Sequence, residues 1–299
     1  MYELGNIKRL NIYPLVTSRG CPYNCIYCTE GCTKWVPRSS ENIIEEIKYA
    51  KKYKPNYFCI YDDNFTFDLN RAKSFCSQLL GKNIKWMCST GIRADKTSED
   101  LIRLMKKSGC FLVGLGIESV DKKVFKNINK GESLNSIKKA INLLNKYNML
   151  VYGFFIIGLP YSTYKKDLKT LDFVKKNKLD HTAFFMSSPY YSTQLFKWVS
   201  ENGTFLQKPI NQKIFSNYEI EPFYEMPGYS REEIKKAYVL CNLRSNNFIM
   251  DYKKPFKAFH NLVYYSLKYD AIRLPRYLIK MISFYFEVIF RKIKKLIHQ

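Results

Sequence analysis

Six short apolar runs, each followed by an amphipathic stretch, constrain this chain more than any other feature. They cover 10–16, 57–61, 86–90, 110–117, 150–157 and 183–186. Apolar runs of this length, bounded by turn signals, read as buried strands, and the stretches between them carry helical spacing. Ser40 is read as opening a helix to about Tyr53. Thr97 with Asp100 resembles a capping box for a helix over 101–108, which Gly109 ends. Ser133 is expected to cap a helix to about Tyr147, and 167–176 reads as another. Strands that alternate with helices pair in parallel, because each return needs a crossover. Right-handed crossovers then curl the sheet. The expected fold class is α/β, a partial (β/α)6 TIM-like barrel with a C-terminal helical extension.

A site on such a barrel belongs at the C-terminal ends of the strands. Each run here ends in polar or glycine residues: Arg19–Cys28, Asp62–Asn64, Thr90–Arg93, Gly114–Ser119, Gly158–Pro160 and Ser187–Pro189. The first of these holds Cys21, Cys25 and Cys28 in a C-x3-C-x2-C arrangement. Gly20 and Pro22 break the regular backbone, so the thiols sit on a loop leaving a strand. Soft thiolates favour zinc, copper(I) or an iron–sulfur cluster. A structural zinc site closes around four ligands, and only three are local here unless Cys32 joins them. Three thiolates on a four-iron cluster leave one iron with an open position.

Thr17-Ser18-Arg19-Gly20-Cys21-Pro22, Asp62-Asp63-Asn64-Phe65, Gly116-Ile117-Glu118-Ser119 and Phe155-Ile156-Ile157-Gly158-Leu159-Pro160 resemble motifs of the radical S-adenosylmethionine (SAM) superfamily. Tyr27 before the last cysteine fits the same signature. The branch that the chain resembles includes cobalamin-dependent enzymes and the anaerobic magnesium-protoporphyrin ester cyclase type. The resemblance implies a [4Fe-4S] cluster on Cys21, Cys25 and Cys28, with SAM chelating the open iron. It implies that Asp62 accepts from the SAM ammonium, and that Arg93 meets the carboxylate as a planar cationic fork. Glu118 then suits the ribose hydroxyls, and Tyr27 with the backbone at Gly158 suits the adenine. Only about ten residues precede the first run. The N-terminal cobalamin domain usual in that branch does not fit within them, which leaves a shortened member, cobalamin supplied by another chain, or no cobalamin, and methyl transfer is not predicted.

The remaining composition bears on location and partners. Nine cysteines, an odd number, and no signal-like apolar stretch at 1–11 argue against a secreted disulfide framework. A reducing cytoplasm is the expected location. Cys59, Cys88 and Cys110 fall in apolar runs and read as small buried residues. The net charge is +23. Such an excess suits nucleic acid, a membrane surface or an acidic substrate.

Three divisions are expected: 1–190 as the barrel, 191–252 as a cover with a helix near 231–242 capped by Ser230, and 253–299 as a basic amphipathic tail. From Lys253 onward, eleven Lys/Arg face only Asp270 and Glu287. On a helix turning about 100° per residue, Arg276, Lys280, Ser283, Glu287, Arg291, Lys292, Lys294 and Lys295 fall within one arc of roughly 120°, and the rest of 276–297 is apolar or aromatic. That pattern matches a helix lying in a membrane interface. The expected partners are thus a small-molecule or lipid substrate, a reducing electron-donor protein and a membrane surface. RNA is the less favoured partner, for want of an appended RNA-binding module. A non-catalytic iron–sulfur or zinc protein is the remaining alternative.

Overall fold

The computed structural model describes residues 11–207, 221–245 and 255–282. Six strands form one sheet: β1 (Ile12–Leu15), β2 (Tyr57–Ile60), β3 (Trp86–Ile92), β4 (Cys110–Glu118), β5 (Leu150–Ile157) and β6 (His181–Met186). They lie side by side in chain order and every pairing is parallel. The sheet is the six-unit α/β arrangement expected from the alternating runs. All six C-terminal ends therefore open on one edge, where the polar clusters collect.

Helices follow each strand in turn: α1 (Ser40–Ala50), α2 (Leu69–Leu79), α3 (Glu99–Lys107), α4 (Lys122–Asn127), α5 (Leu134–Lys146) and α6 (Tyr164–Lys176). Further on come α7 (Gln194–Asn202), α8 (Arg231–Arg244) and α9 (Pro255–Asp270). Ser133 caps α5 as expected, in a reciprocal box with Ser136. Two caps differ by one residue. Ser39 rather than Ser40 caps α1. Ser98 rather than Thr97 caps α3, because its extended backbone aims the hydroxyl at Leu101 N. Thr97 instead donates to Ala94 O at 2.7 Å. At the start of α8, Glu233 accepts the Ser230 N–H at 3.0 Å, satisfying a first-turn donor.

Strand β5 shows how the sheet is packed. Val151, Gly153, Phe155 and Ile157 are buried, while Tyr152, Phe154 and Ile156 between them are half-exposed. Period-2 burial means one face is covered and the other partly open. The covered side includes Trp86, which meets Phe75 and Phe65 edge-on with ring centroids 5.4 and 5.8 Å away. Its indole N–H donates to Ser108 O at 3.1 Å, so the largest core side chain buries no orphaned donor. Cys59, Cys88 and Cys110 are buried at 2%, 0% and 1% exposure, as their apolar surroundings suggested.

The chain divides into two compact units, Asn11–Tyr238 and a second made of Met1–Leu10 with Val239–Gln299. In the second unit Asp270 gathers Arg244, Arg273 and the Tyr277 hydroxyl around its carboxylate. Those cations hold its pKa below the ordinary carboxylate value although burial opposes them. The chain is helical over 274–282, with Tyr277 and Met281 buried and Ile279 and Ile282 exposed. The amphipathic stripe expected over 276–297 lies mostly outside the described residues. Among the described residues, no helix is long and apolar enough to cross a membrane.

Candidate active site

The cysteine loop leaves β1 and is closed at its base by a short antiparallel ribbon, Ser18–Arg19 against Val36–Pro37. Within the loop, Cys28 N donates to Cys25 O at 3.1 Å and Thr33 N to Cys21 O at 3.1 Å. The Thr33 hydroxyl in turn accepts from Cys21 N at 2.9 Å. Such turns satisfy backbone groups that a protruding loop would otherwise leave open. Cys21, Cys25 and Cys28 are half-buried and free, while Cys32 is exposed.

The end of β2 anchors this loop. Asp62 is 1% exposed and accepts from Thr17 N at 2.6 Å, from the Ser18 hydroxyl at 2.7 Å and from the Thr17 hydroxyl. Asp63 accepts from Gly20 N at 2.8 Å. Asn64 is 2% exposed, and its amide nitrogen lies 3.9 Å from Cys21 Sγ. Its carbonyl oxygen Oδ1 is buried without a partner. A buried acceptor left open costs about 1–3 kcal/mol, so its place beside a loop thiol marks a position for a donor from outside the chain.

The other side of the loop faces β4. Glu118 ends that strand with φ 61°, a conformation costly for a side-chain-bearing residue. The turn is closed by Ser119 N donating to Ile117 O at 2.7 Å. The Glu118 carboxylate lies 3.2 Å from Lys130 Nζ. That ammonium also lies 3.1 Å from Glu132 and donates to Gly116 O. A Cβ at Gly116 would stand 2.4 Å from Glu118 Oε1 and 2.6 Å from Lys130 Nζ. Only glycine lets this ion pair fold down onto the strand. Burial opposes the Lys130 charge, but the two carboxylates prevail and raise its pKa. The Tyr27 hydroxyl bonds to Glu118, and its pKa stands well above the usual range because burial and that carboxylate disfavour the phenolate. Burial pushes the Cys25 thiol up to about 12, with Lys130 pulling the other way.

Arg93 is 7% exposed, and three of its five side-chain N–H groups have partners. Its guanidinium spans Asp95 at 3.0 and 3.1 Å, donates to Lys130 O at 2.8 Å and stacks 3.5 Å above the Tyr23 ring. It therefore fixes the backbone that carries Lys130. Gly158 sits one residue beyond β5 with φ 83°. Of the expected residues, Cys21, Cys25, Cys28, Tyr27 and Glu118 surround one mouth, with Gly158 at a neighbouring strand end. Asp62 and Arg93 spend their polar atoms on the loops behind them. Two groups escaped the sequence reading as individual residues. Asn64 was visible only as part of Asp62-Asp63-Asn64, and nothing local distinguishes Lys130 among 49 Lys/Arg.

Among the described residues, no three His, Cys, Asp or Glu side chains converge on one ion position. Three half-buried loop thiols with an open amide acceptor beside one of them are a donor set that suits an iron–sulfur cluster.

Comparison with known proteins agrees. A relative from Pyrococcus horikoshii, named as an uncharacterized methyltransferase, is 30% identical over 79% of this chain and 52% of its own length. Cytidylyl-2-hydroxyethylphosphonate methyltransferase of Streptomyces wedmorensis is 28% identical over 63% of this chain and 38% of its own. Anaerobic magnesium-protoporphyrin IX monomethyl ester cyclase of Rubrivivax gelatinosus is 24% identical over 60% of this chain and 33% of its own. The chain thus spans between about a third and a half of these relatives' lengths. Among solved structures, the methyltransferase TsrM of Kitasatospora setae, with cobalamin and a [4Fe-4S] cluster bound, superposes with a TM-score of 0.58 at 14% identity, covering 64% of this chain and 37% of that one. The cobalamin-dependent SAM radical enzyme OxsB gives 0.57 at 16% identity, covering 77% of this chain and 40% of that one. These likenesses show the shared fold. The model of the Radical SAM superfamily matches residues 15–174, more than half of the sequence, and the chain belongs to that superfamily of enzymes.

Proposed function

We propose that this chain carries a [4Fe-4S] cluster on Cys21, Cys25 and Cys28 and uses it with SAM to remove hydrogen from an apolar substrate. The carrying observation is the open Asn64 carbonyl beside Cys21, at the same mouth as the buried Lys130–Glu118 pair. When bound, the cluster and SAM supply one-electron cleavage of the sulfonium to a 5′-deoxyadenosyl radical that abstracts hydrogen. The residues divide the binding of SAM by charge. Asn64 Oδ1 accepts from the ammonium. Lys130, whose three N–H groups turn to Glu118, Glu132 and Gly116 O, holds the Glu118 carboxylate toward the ribose hydroxyls. Tyr27 and the Gly158 backbone flank the adenine. Asp62 and Arg93, expected as direct contacts, act in this reading by holding the cluster loop and the Lys130 backbone.

A reducing partner must deliver the electron. Adding dithionite and SAM to anaerobically reconstituted protein should release 5′-deoxyadenosine, and Cys25→Ala should abolish it. Absence of product from cluster-loaded protein would refute the reading. Labelling the SAM methyl group in the same assay would detect methyl transfer, the activity in several relatives' names.

We also infer a membrane-surface location. Phe259, Leu267, Ile272, Ile279 and Ile282 are exposed in the same compact unit as Lys268, Arg273 and Arg276. Exposed apolar groups among cations suit an anionic interface. Removing the residues after Arg273 should abolish flotation with anionic vesicles, and unchanged flotation would refute this part.

A further inference from the structure

Gly158 is held in an unusual way. Its N–H donates to Asp167 Oδ2 at 2.8 Å, and its carbonyl accepts from the Tyr224 hydroxyl. Neither of its backbone polar groups is left to the strand ladder. Asp167 accepts from the Tyr229 hydroxyl at 2.8 Å and from Ser162. The Tyr224 hydroxyl also lies 2.9 Å from Ser187 Oγ, at the end of β6. Tyr224, Tyr229, Asp167 and Ser162 are all 3% exposed or less.

Burying these hydroxyls and a carboxylate is unfavourable unless each finds a partner. Phenylalanine would fill the same volumes without that demand. What the hydroxyls add is direction, because a satisfied polar network admits one arrangement where apolar packing admits several. Gly158 needs this restraint. Its φ is 83°, and without a Cβ nothing of its own resists rotation of the flanking peptides. Ile234 closes the remaining side, 3.4 Å from where a Cβ would stand.

We propose that Tyr224, Asp167 and Tyr229 are positioning residues that fix the Gly158 peptides for the adenosyl half of SAM. The inference rests on the reading of Gly158 as the adenine edge. Tyr224, Tyr229 and Ile234 come from the stretch after the sixth strand–helix unit. Recognition of the adenosyl group therefore depends on a segment outside the family's matched region, 15–174.

The test uses reconstituted full-length protein and two ligands, SAM and L-methionine, which lacks the adenosyl group. Binding is read from the EPR signal of the reduced cluster. Tyr224→Phe should weaken SAM about tenfold, the equivalent of about 1.4 kcal/mol, and leave methionine unchanged. Tyr229→Phe, acting through Asp167, should give a smaller loss of the same selective kind. Equal losses for both ligands, or SAM affinity within twofold of the unaltered protein, would overturn the proposal. Should Tyr224→Phe fail to load a cluster, Tyr229→Phe decides alone by the same criterion. If the unaltered protein gives no response to SAM, the reading of the site itself fails.

Discussion

Two buried aspartates hold the two sides of this site by similar means. Asp62 and Asp167 are each 1% exposed, and each accepts one backbone N–H and two side-chain hydroxyls. They differ in where the donors originate. Asp62 draws all three from Thr17 and Ser18, at the end of the neighbouring strand. Asp167 draws on Gly158 and Ser162 nearby, but its third donor is Tyr229, 62 residues further along. The cysteine side is thus braced within the strand–helix repeat. The glycine side is completed only when the later segment docks. The brace of the cysteine loop thus joins neighbouring strand ends, whereas that of the opposite wall reaches across 62 residues.

The largest test of this contrast is Asp62→Ala. It orphans one buried N–H and two hydroxyls, and at about 1–3 kcal/mol per buried group it should cost roughly 4 kcal/mol in denaturant unfolding. Cluster loading, read by iron content, should fall with it. Full loading would break the claim that Asp62 holds the loop. Lys130→Met comes next. It leaves Glu118 and Glu132 buried without their cation, a loss of about 3 kcal/mol by analogy with other buried pairs. The cysteine loop should still load iron, and SAM should no longer perturb the cluster signal.

Asp167 gives a pH-dependent test. Burial raises its pKa from 3.8 to about 6, with the hydrogen bonds from Ser162, Gly158 and Tyr229 opposing the rise. The folded value lies above the unfolded one, so the protonated form is favoured by folding. Its contribution is full below about pH 4 and is lost as pH rises through about 6, a change of roughly 2–3 kcal/mol at about 1.4 per unit. Urea midpoints measured from pH 4 to pH 7 should show this fall, and Asp167→Asn should flatten it. An unchanged slope in the variant would assign the effect elsewhere. The smallest effect expected is from Ser98→Ala, which removes the α3 cap for about 1 kcal/mol. Cluster loading and SAM response should both persist, separating scaffold caps from the two aspartate braces.

The sequence made the sheet legible because period and punctuation agreed at every strand. All six apolar runs became strands, and the cysteines stand where a strand end delivers them. Helix α2 was passed over although Asp68 caps it and Ala72, Phe75, Cys76 and Leu79 follow at helical spacing. Its lysine, asparagine and serine residues hid that stripe. Site details were less legible because they depend on competition for partners. Asp62 and Arg93 lie at the expected strand ends, yet Thr17, Ser18, Asp95 and Lys130 claim them. The role of Lys130 follows from a loop returning beneath Gly116, a path that no local pattern encodes.

Glu118 carries a consequence for anyone who tries to harden this protein by selection. Its backbone occupies a region that glycine enters at roughly 1 kcal/mol less cost. Glu118→Gly would relieve that turn but leave buried Lys130 short of one carboxylate, and losing a partner of a buried pair costs about 3 kcal/mol. A library screened for heat tolerance alone would therefore keep Glu118, because the ion pair outweighs the bent backbone beneath it.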